Sequence, residues 1–142
     1  MGGVQCTDAA RTPLPTRVGS HAGSMAAKDA LGRRGEHIAE RYLRDAGLII
    51  LDRNWRCAQG EIDLVAMDAG ETVFVEVKTR SGVGFGHPFE AITAVKLARL
   101  RRLAAAWCDA HPGRGERIRI DAIAVVAPRA GVTVVEHLER VF

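Results

Sequence analysis

The sequence lacks most of the features that would classify it quickly. It has no uninterrupted apolar run approaching the roughly 20 residues of a membrane-spanning helix, which excludes a helical membrane protein. Its N-terminus lacks the apolar stretch of about 7 to 15 residues that marks a secretory signal, so the expected compartment is the cytoplasm. Cysteine is scarce: Cys6, Cys57 and Cys108 stand about fifty residues apart, with no CxxC pair and no neighbouring histidine to complete a zinc set. They read as reduced, unligated thiols. Met1-Gly2 opens like a myristoylation signal, but Cys6 stands where that signal needs Ser or Thr, and lipidation is not expected. Internal repeats are absent. His37, His87, His111 and His137 are scattered and form neither an HExxH motif nor part of a Ser/His/Asp arrangement. Net charge is also small, +3 from 20 basic and 17 acidic residues, which by itself is weak evidence for a polyanionic partner.

What is present is a chain of 142 residues, 47% apolar and 26% charged, enough for one domain around a single core. Residues 1–24 are rich in Gly, Pro, Ser and Thr and lack apolar periodicity, so they read as a disordered leader. Met25, at the boundary, is as eligible an initiator as Met1. A single domain is expected over residues 25–142. Leu31, Gly35, Ile38, Ala39, Tyr42 and Ala46 recur at helical spacing before Gly47, which predicts a helix over about 28–46 with its apolar stripe centred near Tyr42 and Gly35. Three strand-like runs follow, 48–53, 61–67 and 72–79, separated by turn residues as in a meander. Pro88 then precedes a long helical segment over about 89–110, closed by His111-Pro112-Gly113. Strands over 117–126 and 132–138 finish the chain. A strand, a long helix and a further strand make a right-handed crossover, so the predicted class is α/β, with a central mixed sheet flanked by helices.

Residues two apart in a strand share a face, so Glu61 and Asp63 point together, as do Glu76 and Lys78. The alternate positions Ile62, Leu64 and Ala66, and Val73, Val75 and Val77, supply an apolar face. Three carboxylates and an amine set among Val65, Met67 and Phe74 are unusual, because a partly buried charge is costly unless paired or bound to a metal. Metal-assisted hydrolysis of a phosphodiester fits this set. Asp63 and Glu76 can ligate a hard cation such as Mg²⁺ or Mn²⁺, with the backbone carbonyl of Val77 as a third ligand. Lys78 would orient or help deprotonate the attacking water and offset charge on the phosphate. The plain alternative is a cross-strand salt bridge between Lys78 and a carboxylate.

The helices add to this set. Glu36 and Glu40 lie one turn apart on the border of the first apolar stripe, where Glu36 can lean toward the sheet as a supporting acid or a ligand of a second metal. In the second helix Lys96 falls inside the stripe of Ile92, Leu100, Leu103, Ala104 and Trp107, so it either snorkels outward or reaches the carboxylates. Between Lys78 and Arg102 six basic residues face one acid, a local charge of +5 that leaves about −2 on the rest. Phosphate contacts give sequence-independent, salt-sensitive affinity, and the Gly-rich loop 81–86 permits close approach of a backbone.

The run Gly60-Glu61-Ile62-Asp63-Leu64-Val65-Ala66, followed by Phe74-Val75-Glu76-Val77-Lys78-Thr79-Arg80, resembles the signature of the restriction-endonuclease-like, or PD-(D/E)XK, superfamily. More narrowly, Gly32-Arg33-Arg34-Gly35-Glu36 with Ala39 and Tyr42-Leu43, Arg53-Asn54-Trp55-Arg56, Gly86 to Ile92 with Lys96, and Arg119-Ile120-Asp121 resemble blocks of the YraN-type family of small bacterial predicted nucleases. The resemblance covers about residues 31–142. It implies a restriction-endonuclease-like core, a metal site of Asp63, Glu76 and Lys78 with Glu36 as the helix-borne acid, and a relation to Holliday junction resolvases, which act as dimers on branched DNA. The expected activity is a divalent-metal-dependent DNA endonuclease, selective for branched or nicked DNA, used in repair, recombination or DNA uptake. Its expected partners are nucleic acid and a second copy of the chain, and no membrane. Expected phosphate contacts are Arg33, Arg34, Arg53, Arg56, Arg80, Lys96 and Arg99, with Glu61 and Glu40 supporting the site. The competing reading is a non-catalytic nucleic-acid-binding or complex-assembly module that keeps the nuclease fold. Asp121 is expected to pair with a neighbouring arginine.

Overall fold

The computed structural model describes residues 22–82 and 86–141. The first helix, α1, spans Ala22–Asp45 and therefore starts inside the expected leader, whose first 21 residues lie outside the described ones. It ends in a Schellman turn. Gly47 takes a φ of 94°, and the Leu48 N–H donates to the Leu43 carbonyl at 3.0 Å, so the final carbonyls are satisfied before the chain turns into the sheet.

Five strands follow: β1 Ile49–Cys57, β2 Gly60–Asp68, β3 Glu71–Arg80, β4 Ile118–Val126 and β5 Val134–Leu138. They form one sheet in the order β1-β2-β3-β4-β5, with β3 and β4 parallel and the other neighbours antiparallel. The turn from β2 to β3 puts Ala69 and Gly70 at φ values of 48° and 86°, the two positive angles of the tight hairpin turn that matches strand twist. β1 runs four residues past its expected end, because the chain crosses Asn54 at a φ of 48° and keeps pairing as far as Cys57↔Gly60.

The expected single helix over 89–110 is two elements. Pro88–Ala91 is a 3-10 turn capped by the His87 side chain, and Ile92 is extended. The Thr93 hydroxyl then accepts the Lys96 N–H at 3.3 Å and starts α2, Ala94–Ala110. Pro88 thus opens only the short turn, and Ile92 lies outside the apolar stripe of α2.

The two helices cover opposite faces. Ala39 and Leu43 of α1 pack with Leu64, Ala66, Val73, Val75, Val77, Ile123 and Val125. Leu100, Leu103, Ala104 and Trp107 of α2 pack with Trp55, Ile62, Val65, Phe74 and Ile120. Successive residues of β3 point to opposite faces, so this central strand is apolar on both sides, as a strand buried between two layers must be. Two expectations are corrected. The α1 stripe is centred on Gly35, Ala39 and Leu43, while Tyr42 is 36% exposed. Ile62 joins the α2 layer although Leu64 and Ala66 join the α1 layer, so strict alternation in β2 breaks at Asp63.

Gly35 sets how closely α1 crosses β3. A Cβ there would stand 1.8 Å from the Thr79 hydroxyl, so only glycine permits this approach, and the approach delivers Glu36 to the C-terminal end of β3. At the opposite end of β3 a buried ionic network ties β2, β3, β4 and the C-terminal segment together. Arg119 contacts Asp68 at 2.9 Å, Glu71 at 3.3 Å and Asp121 at 3.1 Å, while Arg140 contacts Glu71 at 2.8 Å. Asp121 is fully buried and also takes bonds from His137 at 2.8 Å and the Arg140 N–H at 3.0 Å. Burial would raise its carboxyl, but these bonds and Arg119 outweigh burial and hold it below the ordinary range. Asp121 is thus absorbed by its neighbours. Cys57 and Cys108 form no disulfide, and among the described residues no helix is long and apolar enough to cross a membrane.

Candidate active site

The ladder between β2 and β3 pairs Asp68↔Glu71 through Leu64↔Val75 and goes no further. Beyond it the Asp63 side chain replaces the neighbouring strand: its Oδ2 accepts the Val77 N–H at 2.8 Å. A strand residue presents its N–H and its C=O to the same edge, so the Val77 carbonyl also faces this opening. Glu76 and Lys78 flank Val77 and form an ion pair of 3.2 Å, both largely shielded from solvent.

Three carboxylates close the opening from the other side. Glu36 on α1 and Glu61 and Asp63 on β2 each offer an oxygen within 4.8 Å of the other two. Glu76 stands next to this trio and acts on it electrostatically. Burial, then the Glu76 charge, pushes the Asp63 carboxyl up to about 8, against the pull of the Val77 N–H and with further help from Glu36 and Glu61. Glu36 is raised as well, chiefly by burial and then by Glu61. Four acids thus converge, and among the described residues Lys78 is the one lysine paired with any of them, through Glu76, while Arg56 holds the outer edge of Glu61 at 3.1 Å.

Asn54 is the residue that the sequence did not single out. With its amide nitrogen facing the acids, it donates to Glu61 Oε1 and to Glu36 Oε2, each at 3.0 Å. The same residue carries the left-handed backbone angle in β1. Asn tolerates that conformation better than most side chains, and an Asn just past the expected end of the first strand, between Arg53 and Arg56, was the available signal.

The other expected site residues divide between the edge of this cluster and more distant positions. Glu40 is buried, but Arg44 at 3.0 Å and Arg53 through a bond of 2.7 Å neutralise it, and Arg53 followed by Arg44 holds its carboxyl below the ordinary range. Arg53 is therefore bonded to Glu40 with 44% of its side chain still exposed, and Arg56 is paired with Glu61. Lys96 is half-buried near the start of α2, and the Arg99 stem lies 4.0 Å from where a Cβ of Gly60 would stand, beside the β1–β2 turn. Arg80 lines a cleft of about 560 Å³ with Lys28, Glu36, Val77 and Lys78. Arg33 and Arg34 line a second groove on the outer side of α1.

Residues 35–125 match the model of a family described as "Uncharacterised protein family UPF0102". The chain belongs to the UPF0102 family. The match begins at Gly35 and includes Glu36, Asn54, Glu61, Asp63, Glu76 and Lys78. A UPF0102 protein of Beutenbergia cavernae is 56% identical over 117 residues, covering 82% of this chain and 99% of the relative. One from an Arthrobacter species is 55% identical over 117 residues, with the same two coverages. The UPF0102 protein of Frankia alni is 52% identical over 119 residues, covering 84% of this chain and 99% of its own length.

Proposed function

We propose that the protein is a divalent-metal-dependent endonuclease that hydrolyses phosphodiester bonds in DNA, built on a restriction-endonuclease-like core. One observation carries the reading: Glu36, Glu61, Asp63 and Glu76 converge at the open end of the β2–β3 ladder with less positive charge than they need. Such a cluster is stabilised by protons or by a cation, and its donors are all hard oxygens with no Cys or His among them. The residues fit Mg²⁺ or Mn²⁺. Asp63, Glu76 and the Val77 carbonyl would hold the ion, with Glu36 and Glu61 on the α1 side. When bound, a divalent cation polarises a phosphoryl oxygen and makes water a stronger acid.

The chain's own groups supply the rest. Lys78, fixed by Glu76, stands where its ammonium can orient a water and offset charge developing on the phosphate. Asp63 uses Oδ2 for the Val77 N–H, which leaves Oδ1 as the free oxygen that can hold a proton or a ligand. Asn54 keeps the Glu36 and Glu61 carboxylates together although they come from different elements. Lys28 and Arg80 flank the cleft through which a phosphate reaches Lys78.

The test is cleavage of nicked, forked and four-way DNA by purified protein in Mg²⁺ or Mn²⁺, with Glu76→Ala and Lys78→Ala as controls. Cutting that survives both substitutions overturns the assignment. A second reading, a non-catalytic nucleic-acid-binding module, draws support from the Lys78–Glu76 pair, which partly satisfies the site without metal. Titration calorimetry separates the two: the module predicts no Mg²⁺ or Mn²⁺ uptake and salt-sensitive DNA affinity unchanged by Asp63→Asn.

A further inference from the structure

We infer that the outer face of α1 is a track for the sugar–phosphate backbone of the nucleic acid, continuing from the cleft that holds Lys78. This rests on the nuclease reading only for which strand is cut; the track itself needs no metal. Arg33, Arg34, His37 and Arg41 line one open groove of about 670 Å³, with Ala30 and Ile38 as its apolar floor and no acid in its lining. All four are exposed.

Several arginines of the chain are neutralised by acids, and those of this groove are not. Arg44 and Arg53 are held by Glu40, Arg56 by Glu61, and Arg119 and Arg140 by Glu71. Among the described residues no carboxylate lies within salt-bridge distance of Arg33, Arg34 or Arg41. The acids interleaved with them in sequence are engaged elsewhere, since Glu36 turns into the carboxylate cluster and Glu40 is consumed by Arg44 and Arg53. A helix face that keeps its guanidinium groups unpaired while its own glutamates point inward presents charge to a polyanion.

Position and spacing agree with a nucleic-acid backbone. His37 follows Glu36, and Arg33 follows Gly32, which lines the Lys78 cleft, so groove and cleft adjoin along one helix. Arg33 to Arg41 spans about 12 Å at the helical rise, the axial length of three to four nucleotides in one strand of a duplex at about 3.4 Å each. Guanidinium contacts to phosphate fix position without reading bases, so the track adds affinity and register but no sequence preference.

The test measures binding of the full chain to a labelled DNA duplex in EDTA, by fluorescence anisotropy from about 50 to 200 mM salt, the range over which phosphate contacts are most sensitive. Arg33→Ala/Arg41→Ala is compared with the charge-matched Arg114→Ala/Arg117→Ala, whose exposed side chains precede β4 at the far end of the sheet. If each α1 arginine holds one phosphate, the log–log salt slope falls by about 2 and affinity at 0.1 M salt drops roughly 10- to 100-fold. The Arg114/Arg117 variant should bind as the parent does. Circular dichroism checks that α1 persists, and alanine favours helix. Equal effects from the two double variants, or no binding by the parent, overturn the track. Loss of binding in the α1 variant from a parent that never cuts DNA keeps the track and removes the nuclease. Cutting by a parent whose binding ignores Arg33 and Arg41 does the reverse.

Discussion

Asp63 and Val77 are joined by a hydrogen bond from the Val77 N–H to Asp63 Oδ2 at 2.8 Å, in the place where the β2–β3 ladder would have continued. A carboxylate therefore serves as backbone partner and as the centre of an acidic cluster, and substitutions can separate the two roles. Asp63→Asn keeps an oxygen acceptor and removes the charge that Glu76, Glu36 and Glu61 repel. In EDTA this variant should melt at or above the parent temperature while losing stabilisation by Mg²⁺. Asp63→Ala leaves the Val77 N–H without its acceptor, a cost of about 1–3 kcal/mol. Thermal melts with and without Mg²⁺ distinguish them, and an Asn variant less stable than the Ala variant would contradict the assignment.

The raised Asp63 carboxyl gives the metal-free protein a pH dependence of defined sign. Between an unfolded value near the ordinary 3.8 and a folded value of about 8, the folded chain binds a proton that the unfolded chain has lost. Stability from this group is full below about pH 4 and is lost as pH rises toward 8. Glu36 is shifted in the same direction as Asp63 and adds to this loss, whereas Glu40, Glu71 and Asp121 are shifted the other way, fade only in acid and change little between pH 5 and pH 8. Urea unfolding in EDTA at pH 5 and pH 8 should therefore show a less stable protein at pH 8. Asp63→Asn should flatten that difference.

The strands and helices were readable because their periods are local: alternation places Glu61 with Asp63 and Glu76 with Lys78 from spacing alone. What spacing could not give depends on contacts between elements. Arg53 looked like a phosphate contact because the acid that engages its guanidinium, Glu40, lies thirteen residues away on α1. Counting charge along the chain favoured the segment from Lys78 to Arg102, of which Lys96, Arg99, Arg101 and Arg102 lie on α2. That count passed over α1, from which Arg33 and Arg34 but not Arg41 were expected to contact phosphate, because glutamates between the arginines cancel them in a sum but not in space. The break before α2 was hidden because Pro88 and Thr93 are both helix-start signals, and only the extended Ile92 between them shows that each starts its own element.

Gly35→Ala tests whether the α1 crossing builds the site. The added methyl would stand 1.8 Å from the Thr79 hydroxyl and 2.7 Å from its methyl group, so α1 or β3 must shift. The gain in helix propensity, about 1 kcal/mol, is expected to be outweighed by overpacking of about 1–3 kcal/mol. The variant should lose stability in urea and also lose Mn²⁺ affinity, because Glu36 follows Gly35 directly. Adding Thr79→Ala removes both of the closest atoms and should restore part of each. A Gly35→Ala protein with parental metal affinity would show that Glu36 does not depend on this contact.

Asn54 joins a strained backbone to a bridge between two acids, and the two contributions are separable at one position. Asn54→Gly keeps the left-handed angle at no steric cost and deletes the amide, whereas Asn54→Ala deletes the amide and adds a backbone penalty of about 1 kcal/mol. If the amide aligns Glu36 and Glu61 for a cation, both variants should weaken Mn²⁺ binding about 10- to 100-fold, the usual effect of removing a group that orients metal ligands. Only the alanine variant should show the additional loss of folding stability relative to glycine. Calorimetric titration with Mn²⁺ alongside urea unfolding reads the two effects independently. Parental affinity in Asn54→Gly would mean that Glu36 and Glu61 hold their positions through their own elements, with the 3.0 Å bonds serving only the fold.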